Sequence, residues 1–291
     1  MTQKIQDLNQ ETISKHIAFL CKEIKNNQIL DIQNPKITFF GSGQCNDIYL
    51  LESSSDLKNK KYLCKICTWK QNETWQIKKT EFNILKSIEE LNIAPKVFYF
   101  NIGDNSESLH WSIVEYIEGS MVKKLTDINI VELAEMLKKL HSSVQFDCHG
   151  EQFLPTLTSD YSSSVFEDMD DQVASTEYEI LKTRFNQINW SETKKFCLIH
   201  NDLKEYNMII NSSGDIKLID WEYAYSDIPE NDIARLFIEN SFGSQEKKLF
   251  LTHYLPINNI NFDMKKLEIL SEVYHFFGIH KKKIPPILGN L

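Results

Sequence analysis

The segment LIHNDLKEYNMIINSSGDIKLIDWEYA, from Leu198 to Ala224, constrains the fold of this chain more than any other. Two apolar runs, NMII and IKLI, flank a polar turn that contains a glycine, which is the pattern of a β-hairpin. Polar side chains stand at both ends of it. His200 and Asp202 precede the first run, Asn207 opens it, and Asp220 closes the second. A hairpin with its chemistry gathered at the ends reads as a site presented on a rigid base.

The rest of the chain supplies two different settings. Ile13, Ile17, Leu20 and Ile24 recur at helical spacing near the N-terminus. KITFFGSGQCNDIYLLES reads as two strands around a glycine-containing turn, and KKYLCKICTW as a third. The stretch from Thr74 to Leu91 is helical in pattern, and two further strands lead to Gly119. Residues 1–117 therefore read β-β-β-α-β-β after the first helix. Beyond them the pattern is mainly helical: VELAEMLKKLHS, residues 160–190, PENDIARLFIEN, SQEKKLFLTHYL and MKKLEILSEVYHFFGIH. The expected fold class is α+β. A small antiparallel β-sheet lobe with one main helix (1–117) precedes a mainly helical lobe (118–291) that carries the hairpin.

Bulk properties exclude some functions. A net charge of −9 disfavours a sequence-independent nucleic-acid binder. No apolar run approaches the length of a membrane span, and no secretory leader is evident. Of the six cysteines only Cys64 and Cys67 are close, and strand alternation sends them to opposite faces. They read as reduced thiols of a cytoplasmic protein rather than a zinc half-site.

The hairpin residues gain meaning together. His-x-Asp, an Asn five residues after the Asp, and an Asp at the end of the next strand form the phosphoryl-transfer pattern of kinases. That chemistry needs a carboxylate to accept a hydroxyl proton and oxygen ligands for Mg²⁺. Asp202 can supply the first; Asn207 and Asp220 can supply the second. Singly, each is a plausible turn residue or strand-end cap. Order and spacing together favour the catalytic reading. Lys65 sits inside an apolar strand, where a charge needs a partner. Glu81 is the natural one, with Glu73 and Glu89 as alternatives. The loop at Ser42, Gly43 and Asn46 can cover phosphates with backbone N–H groups. The backbone near Glu115 and Ile117 would meet adenine.

These residues resemble the choline/ethanolamine kinases, within the aminoglycoside phosphotransferase-like kinases. The likeness runs through SGQCNDIYL, Lys65, Glu81, IAPKV, VEYIEG, LHS and the 198–240 block, and it is most specific at IDWEYA followed by DIARLFIE. It implies a bilobal protein-kinase-like fold, ATP and Mg²⁺ as cofactors, and phosphorylation of a small cationic alcohol, choline first. Ethanolamine, thiamine and an aminoglycoside are the alternatives. Asp202 becomes the base and Asn207 and Asp220 the metal ligands. Tyr223, Glu239, Tyr274 and Phe277 become the wall around the substrate's cationic head, with Glu222 and Asp232 bracing the site. A quaternary ammonium, having no N–H, requires such aromatic faces and a nearby carboxylate. Tyr274 and Phe277 stand where the family usually carries tryptophans, and Ser42-Gly43 and Cys45-Asn46 replace its usual loop residues. Those departures also admit a nucleotide-binding pseudokinase.

Overall fold

The computed structural model describes residues 10–29, 35–43, 45–53, 60–68, 74–101, 109–143, 145–147, 176–190, 195–255 and 262–279. The chain divides into two compact units, Met1–Glu89 with Ala94–Glu118, and Glu90–Ile93 with Gly119–Leu291.

In the first unit, helix α1 (Gln10–Asn27) precedes strands β1 (Lys36–Ser42), β2 (Asn46–Glu52) and β3 (Lys61–Cys67). Helix α2 (Thr74–Ser87) and strands β4 (Val97–Asn101) and β5 (Trp111–Glu115) follow. The strands form one antiparallel sheet in the order β1-β2-β3-β5-β4. Alternation decides its faces. Tyr49 and Leu51 on β2, and Tyr62, Cys64 and Ile66 on β3, are buried with Leu20 and Ile24 of α1 and with Trp111 and Ile113. Burying an aliphatic side chain of this size contributes about 1.5–3 kcal/mol, and Leu20 and Ile24, with Ile13, Ile17 and Phe19 packed beside them, hold α1 on that face. Lys65, one residue out of phase with Cys64 and Ile66, points to the other.

The second unit is mainly helical. Its helices are α3 (Asp127–Ser143), α4 (Thr176–Asn186), α5 (Pro229–Glu239), α6 (Ser244–Tyr254) and α7 (Met264–Ile279). Of the stretch 160–190 expected to be helical, only α4 lies within the described residues. Two small sheets complete the unit. Strands β6 (Gly119–Met121), β9 (Met208–Asn211) and β10 (Ile216–Leu218) run in the order β10-β9-β6, and β7 (Gln145–Asp147), β8 (Lys195–Ile199) and β11 (Tyr225–Asp227) in the order β11-β8-β7. Strands β9 and β10 are the two arms of the hairpin read from the sequence, pairing Met208 with Leu218 and Ile210 with Ile216. Gly119 lies against this hairpin, where a Cβ would stand 2.2 Å from the carbonyl oxygen of Ile210. Any side chain there would force β6 away from β9. Helix α5 packs on α7, and α3 on α6. The fold class is the expected one, an α+β, bilobal, protein-kinase-like fold.

Candidate active site

In the first unit, Lys65 on β3 reaches Glu81 on α2, with Nζ 3.5 Å from Oε1. The alternative Glu89 pairs instead with Lys86 at 3.1 Å, and Glu73 lies outside the described residues. Glu81 has a second cation that sequence reasoning missed: Lys78 Nζ lies 3.1 Å from its other oxygen. Burial would push the Glu81 carboxyl up; Lys78 and Lys65 outweigh it and hold it at about 2. Spacing of three on one helix was the available signal for Lys78.

The loop between β1 and β2 is braced internally. The Ser42 hydroxyl donates to Asp47 Oδ1 at 2.6 Å, and the Gly43 N–H donates to the Asn46 carbonyl at 2.8 Å. His16 of α1 stands 3.5 Å from the other Asp47 oxygen. At the end of β5, the Glu115 N–H is taken by the Lys96 carbonyl at 2.8 Å, while Ile117 follows beyond the strand.

In the second unit the loop 200–207 is fixed from beneath by Asp232 on α5. Its carboxylate accepts the backbone N–H of His200 at 3.0 Å and of Asn201 at 2.8 Å. The His141 ring lies 3.3 Å from Oδ2, and His141 Nδ1 meets the Tyr254 hydroxyl at 2.8 Å. Burial would raise the Asp232 carboxyl; His141 and the backbone donors outweigh it and hold it low. Asp232 thus braces the site, as its position suggested. His200 is fully buried, and its pKa is lowered, burial being the largest cause. Its Nε2 lies 3.1 Å from the Ile219 carbonyl, and its Nδ1 accepts the Asp202 N–H at 3.3 Å. A neutral ring with its proton on Nε2 satisfies both contacts, so His200 shapes the loop and carries no charge.

Asp202 and Asn207 are in direct contact. The Asn207 amide donates to Asp202 Oδ2 at 2.7 Å and to its backbone carbonyl at 3.0 Å. On the facing arm the Ile219 N–H donates to the Asn207 carbonyl at 2.9 Å, which sets Asp220 next to the pairing end of the hairpin. Asp220 adopts left-handed backbone angles (φ 67, ψ 67), and so does Asn201 (φ 63). Asp and Asn tolerate that region better than other L-residues. Asp202, Asn207 and Asp220 offer carboxylate and amide oxygens and no thiolate or imidazole, a donor set that fits a hard cation such as Mg²⁺. With its amide nitrogen turned to Asp202, Asn207 keeps its carbonyl oxygen as an acceptor. Among the described residues no cluster of three His, Cys, Asp or Glu forms a metal site of another kind.

Two cations stand beside this carboxylate, and neither was singled out from the sequence. Lys204 Nζ lies 2.5 Å from Asp202 Oδ1 and 3.8 Å from Glu239 Oε2. Burial would lower the Lys204 ammonium; Glu239 and Asp202 raise it. Arg235 donates to Asn201 Oδ1 at 2.5 Å and to Glu239 Oε1 at 3.1 Å, and its guanidinium lies 5.5 Å from the centre of the Tyr274 ring. Tyr274 is buried, and its hydroxyl donates to Asn231. Glu239 and Tyr274 thus both face Arg235. Tyr223 is exposed, and its carbonyl accepts from the Asn201 amide at 3.2 Å. Phe277 belongs to α7, and its side chain lies outside the described residues. The signal for Arg235 was available: it stands four residues before Glu239, on the same helix face.

The model of the Phosphotransferase enzyme family matches residues 36–269, most of the chain. The chain belongs to this phosphotransferase family. Among solved structures, the chain is similar to the choline kinase LicA from Streptococcus pneumoniae, at 22% identity over 91% of this chain and 92% of that one, with a TM-score of 0.61. It is similar to an ethanolamine kinase from Plasmodium vivax, at 17% identity over 93% and 81%, with a TM-score of 0.60. Both likenesses are of fold. Among curated proteins it is 28% identical to a thiamine kinase from Shigella boydii over 131 residues, 45% of this chain and 44% of that protein. The matched stretch is thus less than half of that relative's length. Among the described residues, no helix is long and apolar enough to cross a membrane.

Proposed function

We propose that this phosphotransferase transfers the γ-phosphoryl group of ATP, with Mg²⁺, to the hydroxyl of a small amino-alcohol. The observation that carries the reading is the contact between Asp202 and Asn207 on a loop anchored by Asp232. A carboxylate held this way can orient a hydroxyl without moving, and positioning is most of what phosphoryl transfer asks of a protein. As the acceptor oxygen bonds to the γ-phosphorus, the bond to the β–γ bridging oxygen breaks and ADP departs with that electron pair. The hydroxyl proton passes to Asp202. Asn207 and Asp220 are the residues that would hold Mg²⁺, which when bound neutralises phosphate charge. Lys65, fixed by Glu81, steadies the phosphates, and the loop at Ser42, Gly43 and Asn46 covers them. The backbone at Glu115 and Ile117 receives adenine. Free cysteines at five described positions suit a cytoplasmic protein.

Choline is the acceptor that the resemblance implies; ethanolamine and thiamine are named by relatives of similar fold or sequence. A phosphoryl-transfer screen over choline, ethanolamine, thiamine and an aminoglycoside tests the proposal. Turnover above the ATPase background with at least one amino-alcohol is the expected result. Background rates with every alcohol would overturn it.

A further inference from the structure

We infer that Arg235 sets the class of the acceptor by occupying, from within the chain, the place that a quaternary ammonium would need. The inference rests on the proposed amino-alcohol kinase activity and narrows it to acceptors whose nitrogen carries N–H.

A quaternary ammonium cannot donate a hydrogen bond. It is held by aromatic faces and by the field of a carboxylate. The family resemblance implies Tyr274 and Glu239 for this purpose, and in the structure both already serve Arg235. The guanidinium lies over the Tyr274 ring, one of its nitrogens donates to Glu239 Oε1, and the other terminal nitrogen donates to Asn201. The Arg235 side chain is 14% exposed. Its contacts come from the loop at Asn201, from α5 and from α7, so it does not swing aside without breaking its bonds to Asn201 and Glu239.

What remains nearby calls for a donor. Glu239 Oε2 and Asn240 Oδ1 are buried and accept no hydrogen bond, Glu239 Oε2 having only the Lys204 ammonium at 3.8 Å, while Arg235 Nε is a buried donor without an acceptor. The Asn240 amide nitrogen is used, donating to Leu203 at 2.7 Å and Leu236 at 2.8 Å. A buried acceptor without a partner is costly, and a ligand that brings N–H groups relieves that cost while a tetra-alkylated nitrogen adds to it. Lys204 illustrates the preference: its primary ammonium lies between Asp202 Oδ1, at 2.5 Å, and Glu239 Oε2, at 3.8 Å. Asp202 and Glu239 each already face a cation, Lys204 and Arg235 respectively.

Ethanolamine and choline share a hydroxyl and a two-carbon spacing and differ only in three N-methyl groups, so their kcat/KM ratio reads this site alone. The parent is expected to favour ethanolamine by about tenfold or more. Arg235→Ala frees the ring and the carboxylate and is expected to move the ratio about tenfold toward choline, in line with the worth of one cation–π contact. Added guanidinium ion should move it back, and Arg235→Lys should keep the parent's preference. A merely structural Arg235 would lower both rates and leave the ratio alone. A parent that uses choline as well as ethanolamine, or an unchanged ratio in Arg235→Ala, overturns the inference. If Arg235→Ala does not fold, the parent's ratio and Arg235→Lys decide. If neither alcohol is phosphorylated, the proposed function fails, and binding of tetramethylammonium decides the inference by calorimetry: binding to Arg235→Ala but not to the parent supports it, and binding to the parent overturns it.

Discussion

The side-chain amide of Asn207 donates to the carboxylate of Asp202 at 2.7 Å, across a loop of five residues. The contact fixes the orientation of the proposed base and leaves the Asn207 carbonyl oxygen as an acceptor. Asp202→Ala is expected to lower kcat by about 10²–10⁴-fold, the usual worth of a positioned general base. Nucleotide affinity, measured by calorimetry, should stay within a few-fold of the parent. Asn207→Ala should instead raise the Mg²⁺ concentration needed for half-maximal rate. A fully active Asp202→Ala would remove the assigned base.

Glu81 serves two cations, Lys65 and Lys78, and the two are not equivalent under mutation. Lys65→Ala leaves Glu81 paired with Lys78, so the fold should survive with a small change in Tm while ATP turnover falls sharply. Glu81→Ala removes the carboxylate that Lys65 and Lys78 share, and breaking a buried pair from one side costs about 3–5 kcal/mol. Denaturant unfolding should therefore show Glu81→Ala to be the less stable of the two.

Asp232 receives two backbone N–H groups and the His141 ring while fully buried. Asp232→Ala strands all of them. A loss of about 3–5 kcal/mol is expected, together with loss of activity, because the loop bearing Asp202 loses its anchor. Asp232→Asn keeps the shape but offers only one acceptor oxygen, so chemical denaturation should place it between the parent and Asp232→Ala.

Two carboxyls give stability opposite dependences on pH. Glu81 is held at about 2 against an ordinary 4.5. Its contribution is complete above 4.5 and is lost as pH falls toward 2, an amount of about 3 kcal/mol. Glu230 is pushed up to about 7 by burial, which outweighs the Asp263 N–H and Lys266. Its contribution is complete below 4.5 and is lost as pH rises through 7. Tm measured from pH 2 to 9 should thus decline at both ends. Glu81→Gln should flatten the acid limb, and Glu230→Gln the fall between pH 4.5 and 7. The second change also places an amide where Glu230 Oε2 is buried without a hydrogen-bond partner.

Much of the site was legible because its information is local. Order and spacing from His200 to Asp220 imply a hairpin, and the observed register sets Asn207 opposite Ile219, one residue before Asp220. The partner of Lys65 was narrowed to a few acids by the cost of an unpaired charge in an apolar strand. Arg235 and Lys204 were not found, although each stands at an ordinary spacing from an acid. Sequence spacing says that Arg235 and Glu239 share a helix face; it does not say that Tyr274, 39 positions away from Arg235, supplies a ring to that guanidinium.

The sequence by itself determined the elements, the two-part α+β architecture and the order of the hairpin's polar groups, because periodicity and turn chemistry act over a few residues. Tertiary structure decided which charges meet. The packing of α5 on α7 brought the Tyr274 ring to Arg235, and His141 of α3 meets Asp232 of α5 across 91 positions of the chain. Such contacts join residues far apart in the chain, and their strength depends on burial, which exists only once the chain is folded.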